Sequence, residues 1–139
     1  MAAFRKIVVK GNCFLWKYGY DSDDCQCPSQ IIIKDCDRKG KIVIRFRPNY
    51  IDHGYCPFNK GLSAQKDGEE VLINLNYPKF TAEMLTYILE YRLKDTGFDT
   101  TKEYDDGITL LSELGYFFDY HLSFMEQKKI DEHDSYRTI

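Results

Sequence analysis

Residues 71–97, VLINLNYPKFTAEMLTYILEYRLKDTG, constrain the fold more than any other stretch. Val71, Ile73 and Leu75 alternate as a strand does, Asn76-Tyr77-Pro78 turn the chain, and Phe80, Met84, Leu85, Ile88 and Leu89 then recur at helical spacing. An apolar helical face that follows a strand so closely needs a sheet to cover. Pro78 suits the first helical position, Thr81 is an alternative cap, and Gly97 offers a left-handed stop.

The strands to be covered lie upstream. Residues 4–10 are rich in β-branched side chains, and Gly11-Asn12 marks a turn or bulge. The following CFLWKYGY alternates, with Phe14, Trp16, Tyr18 and Tyr20 on one side and Cys13, Leu15 and Lys17 on the other. Such an aromatic stripe more often faces a covering helix than stacks bases. Residues 29–35 and 41–47 predict two further strands around the turn Asp37-Arg38-Lys39-Gly40. In the second of these, Ile42, Ile44 and Phe46 oppose Lys41, Val43, Arg45 and Arg47, which predicts one apolar face and one mostly basic, wet face.

Residues 48–70 show no sustained period, and residues 61–64 are expected to add at most a short edge strand. After the main helix, residues 98–106 read as an acidic loop. Asp105 or Asp106 then caps a short helix whose Ile108, Leu111 and Leu114 share a face and which stops at Gly115. YFFDYHLSFM is ambiguous between strand and helix. Strands first and helices last predict an α+β domain over residues 1–125: an antiparallel sheet of four to six strands with two or three helices, the main one packed on one face. A polar tail, residues 126–139, follows.

At 139 residues the chain can bury about two thirds of its unfolded surface without a covalent staple. The first residues lack the apolar run of a signal peptide, and no stretch is long enough to span a membrane as a helix. The expectation is therefore a cytoplasmic protein whose five cysteines, odd in number, stay unpaired. Net charge is −3, but residues 1–60 carry eleven Lys/Arg against six Asp/Glu, and residues 61–139 carry eight against sixteen. That asymmetry suggests an acidic C-terminal surface that recognises a basic partner.

Chemistry-bearing motifs are weak. Cys25-x-Cys27, Cys36 and His53-x-x-Cys56 supply zinc-type donors at poor spacing. Asp52, His53 and Cys56 bring together the residue types of a nucleophile, base and orienting group within a loop, which is seldom rigid enough for catalysis. Asp21-Ser22-Asp23-Asp24 opens like a calcium loop, yet Gln26 and Ile32 stand where glycine and glutamate are needed. Phosphate-binding glycine loops, nucleophile elbows and metalloprotease helices are absent, so no catalytic residue, resident metal or cofactor is assigned. A pI near 5.6 and the lack of a recognition motif disfavour nucleic acid, despite Lys41, Arg45 and Arg47.

In size, charge and class the chain is similar to small acidic binding proteins such as the immunity proteins that neutralise a cognate toxin. The lopsided charge, the many tyrosines and the missing catalytic signatures point to a non-enzymatic protein that recognises another protein with a basic surface. Asp21, Asp23, Asp24, Asp99, Glu103, Asp105 and Asp106, in two acidic loops, are the expected contacts, helped by the many tyrosines. The competing expectations are a small enzyme or ligand binder that uses residues 50–58 with His53 and Cys56, and a zinc- or nucleic-acid-binding module.

Overall fold

The computed structural model describes residues 3–21, 23, 28–47 and 62–118. Four strands, β1 (Arg5–Val9), β2 (Asn12–Tyr20), β3 (Ser29–Asp35) and β4 (Lys41–Phe46), form an antiparallel meander. The chain is α+β. A hairpin follows, β5 (Leu62–Lys66) and β6 (Glu69–Ile73), then α1 (Pro78–Tyr87), a π-helical turn (Ile88–Leu93), β7 (Lys102–Tyr104), α2 (Gly107–Glu113) and β8 (Phe117–Phe118).

Two features depart from a single antiparallel sheet. β7 joins the free edge of β4 in parallel, with Val43 opposite Glu103, so the five-stranded sheet, ordered β1-β2-β3-β4-β7, is mixed. A second sheet, ordered β6-β5-β8, is separate. The β5–β6 hairpin covers the short strand expected at residues 61–64 and, begun two residues earlier, the strand expected at 71–75, whereas β7 lies in the expected acidic loop. β7 is a short strand whose pairing, not its composition, makes it one.

The two-residue turns explain the hairpins. Lys10 and Gly11 have φ of 52° and 79°, and Asp67 and Gly68 have 54° and 80°. Positive φ at both central positions is what lets a turn follow the strand twist. The first turn therefore centres one residue earlier than Gly11-Asn12.

The residues that predicted the helix–sheet contact make it. Phe80, Met84, Leu85, Ile88 and Leu89 are buried in one core with Phe14, Trp16, Tyr18, Ile31, Ile33, Ile42, Ile44 and Phe46. Each fully buried side chain of this kind contributes about 2 kcal/mol. Ala64 and Ile73 of the small sheet and Ile108, Leu110 and Leu111 of α2 join the same core. Tyr20, at the end of the stripe, is exposed. α2 comes so near β4 that a Cβ on Gly107 would lie 2.6 Å from the Phe46 ring, which is why its first residue has no side chain.

α1 starts at Pro78 as expected. Its end differs: the π-helical turn closes at Lys94 (φ 52°), whose N–H donates to the Leu89 carbonyl. Gly97 instead sits where a side chain would run into the Asp35 carboxylate. Asp35 is a small organising centre, accepting from the N–H groups of Asp37, Arg38 and Phe98.

The expectation of unpaired cysteines is overturned at one pair. Phe14 opposes Asp35 in the β2–β3 register, so the next pair outward is Cys13 and Cys36, and these form a disulfide with Cα atoms 5.5 Å apart. The bond removes Cys36 from the candidate zinc set. Cys25, Cys27 and Cys56 lie outside the described residues. Among the described residues no helix is long and apolar enough to cross a membrane.

Candidate functional site

Of the seven acidic residues expected to meet a partner, the structure gathers three around one cation. Arg45 points from the outer face of β4 and donates to Asp21 (3.0 Å), Glu103 (2.9 Å) and Asp105 (3.4 Å). Arg47 approaches Asp105 at 3.5 Å. The planar guanidinium suits several carboxylates at once. Burial opposes the Arg45 charge, but the hydrogen bonds to Glu103 and Asp21 prevail and its pKa lies above the usual arginine value. The basic face expected on β4 is thus neutralised at its Arg45 end.

The remaining acids are dispersed. Asp106 stands at the N-cap of α2, yet its carboxylate caps nothing and instead binds Arg92 at 3.1 and 2.7 Å. Arg92 also lies over the Tyr104 ring. Asp99 reaches Arg38 at 3.7 Å and keeps three quarters of its side chain exposed. Arg38 is held chiefly by Asp95, and that hydrogen bond draws the Asp95 carboxyl below the usual range. The exposed Asp23 donates its N–H to the Asp21 carboxylate. Asp24 lies outside the described residues, as do His53 and Cys56. Among the described residues no three His, Cys, Asp or Glu side chains cluster to hold a metal ion.

A groove of about 370 Å³ runs along the outward side of α1 and its π-helical turn. Ala82, Thr86, Tyr87, Glu90, Tyr91 and Leu114 line it, with Glu83 and Lys66 deeper in. Tyr87 and Tyr91 are one turn apart, their rings tilted with centroids 5.0 Å apart, and Tyr91 is 65% exposed. The fully buried Tyr116 donates to the groove-lining Glu83 at 2.5 Å, while the Lys66 ammonium lies 4.5 Å from the Tyr116 ring centre and 3.8 Å from Glu83. Burial and the Glu83 hydrogen bond push the Tyr116 phenol well above its ordinary pKa. A hydrogen bond to Glu113 pushes Tyr87 in the same direction.

Known families, curated proteins and solved structures provide no match to this chain. The groove must therefore be judged by its own chemistry. Its tyrosines carry the π faces that attract ammonium and guanidinium groups, and Glu83 and Glu90 supply negative charge. Lys66 offsets part of that charge, and Lys10 pairs with Glu90.

The apolar period gives no sign of the groove, because the helical residues that line it lie on the side opposite the apolar stripe. The available signal was the tyrosine pair at i and i+4, flanked by Glu83 and Glu90. Tyrosines in that arrangement sit together on the exposed side of a helix.

Proposed function

We propose that the protein is a non-enzymatic recognition module that binds another protein, with the tyrosine- and glutamate-lined groove on α1 as its contact surface. The exposed Tyr91 beside Tyr87 carries this reading. Tyrosine offers a large contact area at little rotamer cost and is enriched at interfaces. A π-helical turn at the same place is a second support, since such turns recur at functional sites. The matching partner surface is basic, with a lysine or arginine seated over the tyrosine rings near Glu90. Asp99, 75% exposed, and Glu103, 58% exposed, can add long-range attraction from the acidic side while their inner oxygens stay paired. An inhibitor or immunity role, in which a small acidic chain occludes a basic active surface, fits this chemistry.

The test is affinity capture from the native host with the wild-type chain and with Tyr91→Ser, which alters an exposed side chain and should leave folding intact. A protein retained by the wild type at low salt, shed at high salt and lost with Tyr91→Ser supports the reading. The same proteins retained by both chains, or none retained by either, overturns it.

A further inference from the structure

The outer face of the five-stranded sheet carries a second, oppositely charged surface. The strand registers place Lys6 beside Leu15, Leu15 beside Lys34, and Lys34 beside Lys41, in one row across β1 to β4. In the adjoining row Lys17 lies beside Ile32, and Ile32 beside Val43. The Phe4 ring packs between the Lys17 and Lys34 ammonium groups, at 4.7 and 4.3 Å from its centre. Among the described residues none of Lys6, Lys17, Lys34 and Lys41 has a carboxylate within ion-pair distance, and α1 and α2 bury the other face of the sheet.

Lys34 and Lys41 are direct cross-strand neighbours, an arrangement that costs stability. The same molecule satisfies Arg38, Arg45, Arg47 and Arg92 with carboxylates. We infer that the lysine-rimmed outer face around Leu15 and Ile32 is a docking surface for an acidic patch on a partner protein. The half-buried aliphatics make the apolar centre and the lysines the polar rim of a small interface. Four strands about 4.8 Å apart and about six residues long span roughly 400 Å², the size of a transient contact. A single-stranded nucleic acid fits less well. It requires free aromatic faces for stacking, and the ring on this surface, Phe4, is already covered by two ammonium groups. This surface is separate from the groove, which lies beyond the helix on the opposite side of the sheet, so either can fail alone.

The experiment titrates isotope-labelled protein with polyglutamate, and separately with oligothymidylate, while following backbone amide shifts. Polyglutamate is expected to move the amides of Lys6, Leu15, Lys17, Lys34 and Lys41. Lys34→Glu is expected to weaken it tenfold or more while holding or raising the melting temperature, because the introduced carboxylate would face the Lys41 ammonium. That combination separates lost binding from lost folding. The inference is overturned by the absence of shifts, by shifts confined to the groove, by undiminished binding of Lys34→Glu, or by tighter binding of oligothymidylate at these lysines.

Discussion

Arg45 and Lys41 stand on the same face of the same strand, four residues apart, and their surroundings are opposite. Arg45 is met by Asp21 from the end of β2, Glu103 from β7 and Asp105 from the approach to α2. Lys41 faces Lys34 and has no carboxylate within reach among the described residues. The difference lies in which carboxylates flank each end. β7 pairs with β4 over Ile42, Val43 and Ile44 and sets Glu103 opposite Val43, midway between the two cations, whereas Asp21 and Asp105 reach only Arg45, which also takes the Glu103 carboxylate. Charge at one end thus holds loops to the sheet, while at the other it remains exposed to solvent.

The covalent link tests the bare end first. Cys13 and Cys36 tie β2 to the end of β3 beside Val8, where no ion pair among the described residues does so. Breaking a bridge across this sequence separation, by Cys36→Ser or by reductant, should cost about 3 kcal/mol, read as a fall in the denaturant midpoint. An unchanged midpoint would mean that the lysine face is held by packing alone.

Next in size is Arg45→Met, which leaves Asp21, Glu103 and Asp105 facing one another. Because Glu103 and Asp105 are about half exposed, the expected loss is about 2 kcal/mol, below the full penalty of a buried pair. Lys41→Met should change stability by less than about 0.5 kcal/mol. Equal effects of the two substitutions in parallel urea titrations would erase the contrast.

Alkaline pH probes the tyrosines bonded to carboxylates at and behind the groove, a third place where polar groups are satisfied internally. Tyr116 and Tyr87 have raised folded-state pKa values, so the native chain holds their protons more tightly than the unfolded chain does. Their contribution to stability is complete below the unfolded tyrosine pKa of about 10 and is lost as pH rises beyond it, by up to about 1.4 kcal/mol per pH unit for the buried Tyr116 and by less for the solvent-screened Tyr87. Phenolate absorbance should show Tyr116 ionising late, and Tyr116→Phe should flatten the alkaline decline.

The smallest effect is the most diagnostic. Lys34→Glu replaces a like-charge pair with an opposite one and should stabilise by about 0.5 kcal/mol, an increment that disappears in high salt. A loss of stability would show that Lys34 serves the fold, through Phe4, rather than a partner.

The helix over Phe80 to Leu89, the aromatic stripe of β2 and the alternation of β4 were legible because a local period of 3.6 or 2 records which side of an element faces the core. The Cys13–Cys36 bond was not, because the apolar faces of β2 and β3 also match when slid by two residues, and only the register that sets Phe14 opposite Asp35 brings those two cysteines together. Nor were β7 and the fate of the acidic loops. Lys102-Glu103-Tyr104 has no pattern of its own and becomes a strand only by lying against Ile42 to Ile44.

What the chain determined locally is therefore its set of apolar faces, its two tight turns and the start of its main helix. Each depends on neighbours within a few residues, where side-chain period and backbone preference act. Tertiary structure alone decided which charges meet: Arg45 finds Glu103 at a separation of 58 residues, and Lys41, on the same strand face, finds only Lys34 among its described cross-strand neighbours. Coulomb attraction depends on distance in space, and sequence spacing does not specify that distance once strands pair across the fold.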